Sequence, residues 1–188
     1  MNGLFIVKLS DNFYKEHIHD KEVLNKKDRP YVQGTLLSDN KNLYFVPFRT
    51  QLPLKAVNLF PEAFIKLPAS SKPNAGLDIT KTVLISSPEN VEILPKAYIE
   101  KEQYRLLLQK ESELWGKVKN YVQEYQRTVR QGKELSAKYQ YTALRYFHKE
   151  LNLPNKMPGI KKNTPTRNYH DPNFVPPLKN NKSIDRRI

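Results

Sequence analysis

The spacing of apolar positions changes character twice along this chain. Leu4 to Leu9 is a short apolar run and predicts a first strand. Asp11 is then the predicted helix N-cap, with Phe13, Tyr14, Ile18, Val23 and Leu24 as a loose helical stripe behind it. Tyr31-Val32-Gln33-Gly34-Thr35-Leu36-Leu37 predicts a second strand. Ser38 to Asn42 has turn chemistry, and Leu43 to Phe48 is the returning arm of a hairpin. Gly34, inside a strand, marks a bulge, a tight bend or a close backbone approach. Residues 51–81 are less regular and carry four prolines, with Phe60, Phe64 and Ile65 free to pack a short strand or helix. Thr82 to Ser86 reads as a buried strand, and Glu92 to Leu94 as a further short one.

From Ile99 the period becomes helical. Tyr104, Leu107, Leu108, Leu114, Trp115, Val118, Tyr121, Val122, Tyr125 and Val129 recur at steps of three and four. This predicts one long amphipathic helix to about Arg130, ended by Gly132, and a final helix over Tyr139 to Leu151. Strands followed by helices give an α+β class for residues 1–153. After Leu153 the periodicity fades. Residues 154–188 hold six of the fourteen prolines and eight Lys and Arg against two Asp, which predicts a basic tail that is disordered alone or ordered on a partner.

Composition narrows the chemistry. A formal charge of +13, from 32 Lys and Arg against 19 Asp and Glu in 188 residues, favours a polyanionic partner. The absence of cysteine excludes disulfides, thiolate nucleophiles and Cys-type zinc sites. Met1 to Lys8 is too briefly apolar for a signal peptide, and no segment has the length of a membrane span, so a soluble cytoplasmic protein is expected. There is no Gly-rich phosphate loop and no cluster of carboxylates of the kind two-metal nucleases use, so no cofactor is expected. His17 and His19 point to different faces of a helix and read as surface histidines.

The densest chemical signal is Leu43-Tyr44-Phe45-Val46-Pro47-Phe48-Arg49-Thr50, followed by Lys55. Pro47 cannot donate to a sheet ladder and marks a strand end or edge. Arg49, Thr50 and Lys55 then follow on the loop that the strand delivers. This is either a solvated junction or a site for a phosphodiester. RNA can be cut without metal, because its 2′-OH can attack the adjacent phosphate. The protein then has only to orient the phosphate, stabilise its charge and assist proton transfer. In that reading Arg49 and Lys55 stabilise the phosphate and Thr50 positions it or the 2′-OH. Tyr31, on the paired strand, orients substrate or relays a proton. Lys26, Lys27, Arg29 and Lys81 are further candidates for RNA contact. His148 is a possible acid or an ordinary helix-face histidine.

The succession Phe13-Tyr14, Arg29-Pro30-Tyr31, Val46-Pro47-Phe48-Arg49-Thr50 and Gly76-Leu77-Asp78, with the ending Leu144 to Leu151, resembles the toxins of type III toxin–antitoxin systems. These are the ToxN/AbiQ endoribonucleases, and the likeness is closest to the TenpIN branch. It spans residues 1 to about 152. The resemblance implies a twisted, mostly antiparallel sheet or open barrel similar to the MazF/Kid core and decorated with helices. It also implies metal-independent cleavage of cellular or phage mRNA, leaving a cyclic phosphate and a 5′-hydroxyl. The partner it implies is a repeat-derived pseudoknot antitoxin RNA that the toxin processes and is inhibited by, in a closed protein–RNA assembly, with a role in abortive infection. By position, Thr50 matches the family's Ser/Thr after the proline-containing strand end, and Arg49 the basic residue before it. Lys55 stands for the downstream lysine, although Gln51 to Leu54 lengthen that spacing. Tyr31 and Arg29 match the aromatic and basic positions before the second strand. A reading from another class remains open: a non-catalytic RNA-binding or ribosome-associated protein.

Overall fold

The computed structural model describes residues 4–26, 28–36, 39–86, 88–94 and 98–161. Seven strands and four α-helices follow one another along them. Strand β1 (Phe5–Leu9) leads through α1 (Asp11–Glu16) to β2 (Tyr31–Leu36) and β3 (Asp39–Arg49). After α2 (Leu54–Leu59) come β4 (Phe64–Lys66), β5 (Gly76–Asp78), β6 (Val83–Ile85) and β7 (Val91–Ile93), then α3 (Lys101–Gln109) and α4 (Glu111–Arg130). All strand pairs are antiparallel, in the order β4-β5-β3-β2-β1-β7, with β6 also on β3. The path is open: among the described residues β4 and β7 are not paired with each other, so the sheet does not close into a barrel.

Strand β3 organises the sheet because its eleven residues take two partners in succession on one edge. Leu43 to Phe45 pair with β6, and Phe48 and Arg49 pair with β5. Pro47 lies between them. Phe48 N donates to Pro30 O at 2.9 Å on the β2 side, so the imide nitrogen of Pro47 faces the other edge, where residues 46 and 47 oppose no described strand. The missing donor therefore costs no ladder bond, and the strand continues two residues past the proline. Arg49 is a strand residue, not the loop residue expected.

Helix α4 buries Leu114, Val118, Tyr121, Val122, Tyr125 and Val129 against the core, the stripe that the helical period predicts. Its Trp115 ring fills the space that a side chain at Gly34 on β2 would need: a Cβ there would lie 2.1 Å from the indole. The close approach at Gly34 is thus to an aromatic side chain rather than to backbone. Gly132, at φ +62, ends α4 as expected, with Gly132 N bonded to Val129 O and Lys133 N to Thr128 O.

Several expectations need correction. The long helix is two, because Lys110 leaves helical geometry (φ −100, ψ 8) while its carbonyl accepts from Leu114 N to start α4. Ser10, not Asp11, caps α1, its hydroxyl accepting from Phe13 N at 3.2 Å; α1 stops at Glu16, and Ile18 is exposed. The final helix is absent. Residues 137–151 form 3-10 turns at Ala137–Tyr139 and Ala143–Tyr146, although Leu144, Phe147 and Leu151 are buried as the pattern requires. The start of the basic tail is anchored: Leu135 N donates to Gly159 O and Lys161 N to Leu135 O, each at 2.8 Å. The rest of the expected tail, 162–188, and Lys27 lie outside the described residues. Among those described, no helix is long and apolar enough to cross a membrane.

Candidate functional site

Arg49 ends β3 opposite Gly76 of β5, and this register brings Asp78 within reach. Arg49 Nη1 donates to Asp78 Oδ2 at 2.8 Å. The other carboxylate oxygen accepts from Thr80 N at 3.1 Å and Thr80 Oγ1 at 2.5 Å. The carboxylate is 1% exposed and the Arg49 side chain 29%, so the guanidinium is anchored at one nitrogen while the rest reaches the surface. Beyond Arg49 the chain is anchored again at Leu52, which is buried and whose N–H donates to Asn74 O at 2.9 Å. Thr50 and Gln51, between the two anchors, are exposed.

Two clefts flank Arg49, and it lines both. The first, of about 370 Å³, is lined by Lys26, Arg29, Thr50 and Lys72, and also by Asp28 and Glu100. Arg29 is oriented by donating from Nη1 to Phe48 O at 2.7 Å, while its buried Nε–H has no partner among the described residues. Lys26 and Lys72 form no ion pair among the described residues. Of the acids, Asp28 takes Lys8 and Glu100 Oε2 accepts from Ser70 N. Cations and an exposed hydroxyl on one open cleft can bind a phosphodiester and stabilise added charge on it.

The second cleft, of about 460 Å³, is more apolar. Lys55 on α2 lines it together with Ala56, Leu59, Phe60 and Tyr141. Lys81 lines it too, but is buried and committed to Glu22 and, at 2.7 Å, to the carbonyl of Tyr141. The sequence-expected set is therefore divided. Thr50, Arg29 and Lys26 share the first cleft, Lys55 and Lys81 the second, and Arg49 stands between them.

Tyr31 joins neither cleft. It is fully buried, and its hydroxyl lies 3.5 Å from that of Tyr14. Burial pushes its pKa well above the ordinary phenol value, with Tyr14 adding in the same direction, so it sits as a neutral phenol in the core and not on the cleft surface expected. His148 is also internal. Its Nε2 meets Tyr125 Oη at 2.7 Å and its Nδ1 the carbonyl of Pro154, where it ties the start of the tail to α4. His17, expected at the surface, is half-buried against Phe13 and Phe147 and bonded to Asp20. Among the described residues no three His, Asp or Glu side chains converge as metal ligands would.

Sequence reasoning missed Lys72, Asp78 and Glu22. Asp78 carried a signal, since Gly76-Leu77-Asp78 is one of the motifs behind the family resemblance, but no role was attached to it. Lys72 sits alone in a turn between Ser71 and Pro73, and nothing local marks it. Compared with protein-family models, with curated proteins and with solved structures, the chain has no match.

Proposed function

We propose that the chain is a metal-independent endoribonuclease of the ToxN/AbiQ kind, with its scissile phosphate held in the cleft at Thr50. The observation that carries this reading is the grouping of an exposed hydroxyl, Thr50, with Arg29, Arg49, Lys26 and Lys72 on one open cleft of a chain with net charge +13. In the reaction the 2′-oxygen attacks phosphorus as its proton leaves. The bond to the 5′-oxygen breaks, and that oxygen takes up a proton. The products are a 2′,3′-cyclic phosphate and a 5′-hydroxyl. Arg29 and Arg49 balance the charge of the pentavalent phosphorus, and Thr50 donates to a non-bridging oxygen. Lys55, across Arg49, contacts the strand outside the reacting phosphate.

On the same reading the open antiparallel sheet is a MazF/Kid-like core. The inhibitor is a pseudoknot antitoxin RNA processed by the toxin itself and lying along the basic clefts. The pair acts in the cytoplasm, assembles into a closed protein–RNA complex and cuts mRNA during abortive infection. Replacing the ribose at a mapped cut by 2′-deoxyribose tests the reaction: cutting there stops while binding persists.

The burial of Tyr31 favours a second reading, a non-catalytic RNA-binding protein, because it removes one proton-transfer candidate from the cleft. Under it, purified protein binds RNA with strong salt dependence and cuts nothing.

A further inference from the structure

Resting on the RNA reading above, we infer that the second cleft is a receptor for one unstacked nucleobase of the bound strand. Most of its exposed lining is apolar, with Ala56 and Leu59 from α2, Phe60, Phe64 and Tyr141, and the acids that line it, Glu22 and Asp78, are paired with Lys81 and Arg49. Leu59 and Tyr141, which both line it, are 63% and 60% exposed, so the cleft presents large apolar surface to solvent. The cavity of about 460 Å³ lies in the range of small-ligand sites.

Tyr141 is held in place. Its carbonyl accepts from Lys81 Nζ, which also stands 6.0 Å from the centre of its ring, and its hydroxyl accepts from Gln140 Nε2 at 3.1 Å. Lys81 in turn is fixed by Glu22. A buried lysine committed in this way positions the aromatic ring rather than meeting the RNA, which accounts for its place among the cleft residues. A positioned, exposed aromatic beside cations is what single-strand binders use to stack a base.

Charge and continuity identify the occupant as nucleic acid. Lys55 lines this cleft without an ion-pair partner among the described residues, and Arg49 lines both this cleft and the one at Thr50. On this inference a strand with its phosphate at Thr50 passes Arg49 and places a neighbouring base beside Tyr141. That base sets the cleavage preference, because it must leave the stack to enter.

The test compares two probes by fluorescence anisotropy: an oligoadenylate of about eight nucleotides and an abasic ribose-phosphate strand of the same length. The full chain is expected to bind the base-bearing strand more tightly. Tyr141→Ala is expected to weaken oligoadenylate binding about tenfold and to leave the abasic strand unchanged. Leu59→Ser, at an exposed position, acts in the same direction, while Lys72→Gln weakens both strands alike. If Tyr141→Ala and Leu59→Ser leave oligoadenylate binding unchanged, or weaken both strands equally, the base receptor is overturned and the RNA reading stands. If the unaltered protein binds neither strand, the RNA reading itself fails and takes the receptor with it.

Discussion

Arg49 and Asp78 join the end of β3 to the end of β5 through one 2.8 Å bond, and that bond fixes the residue shared by both clefts. The two partners are unequal: the arginine is partly solvated, whereas the carboxylate is buried and, among the described residues, has Thr80 as its other donor. Arg49→Ala leaves that carboxylate without its counter-charge and should cost about 2–3 kcal/mol in denaturant unfolding. Adding Asp78→Asn to Arg49→Ala should recover part of the loss, since the amide carries no charge to be balanced. A loss below about 1 kcal/mol for Arg49→Ala would show that the pair does not hold the strand ends together.

The glycines divide by what surrounds them. A Cβ at Gly76 would stand 2.2 Å from the backbone oxygen of Ile65 on the paired strand, which cannot yield, so Gly76→Ala should cost about 3 kcal/mol or prevent folding. Gly34→Ala meets the Trp115 ring instead and should be partly rescued by Trp115→Leu. Gly116, exposed within α4 and with nothing within 4 Å of a Cβ, should accept Ala with a gain of about 0.5–1 kcal/mol. Thermal unfolding of the three variants ranks them directly.

Tyr31, Tyr121 and Tyr139 are buried phenols whose pKa values burial raises above the ordinary 10.0. In the unfolded chain they ionise near that value, while in the fold they remain protonated. Stability is therefore full below pH 10 and falls as pH rises above it, because the fold holds protons that the unfolded chain has lost. Tyrosinate absorbance from this group should appear only together with loss of the native circular dichroism. A smooth titration near pH 10 of every tyrosine, with structure retained, would contradict it. Tyr31→Phe should leave RNA binding and cleavage within about twofold, because the hydroxyl is buried beside that of Tyr14 and Tyr31 lines neither cleft.

Like Arg29, Lys26 and Lys72 are cations of the first cleft that form no ion pair among the described residues. Each should release counterions when it meets a single strand. Lys26→Gln and Lys72→Gln should each weaken binding similarly for all sequences and reduce the slope of log affinity against log salt by about 0.7. An unchanged slope would place the strand elsewhere.

The sheet was legible because β1, β2, β3 and β6 are apolar runs bounded by turn residues, a signal that needs no tertiary information. The break at Lys110 was not: Gln109-Lys110-Glu111 contains no breaker, and the buried positions Gln103, Leu107, Leu114 and Val118 keep a helical period across it. The segment around Phe147 misled in the opposite way. Leu144, Phe147 and Leu151 have helical spacing, but the chain there is held by Thr142 capping Leu144 N and by Leu153 N bonding His148 O. At the site, Arg49 and Thr50 were readable from the strand that delivers them. The division of the clefts was not, because it depends on Asp78 and Glu22, each brought to its cation by the fold from about 29 and 59 residues away.

The most direct test of the central claim is cleavage of a mixed-sequence RNA by the purified chain in EDTA, with end-group analysis, beside Thr50→Ala. Thr50 is exposed, so its loss should spare the fold. Cuts with 2′,3′-cyclic phosphate and 5′-hydroxyl ends are expected, slowed about a hundredfold or more in the variant while RNA binding is retained. Tight, salt-sensitive binding without any cutting, or cutting that Thr50→Ala leaves unchanged, would contradict it.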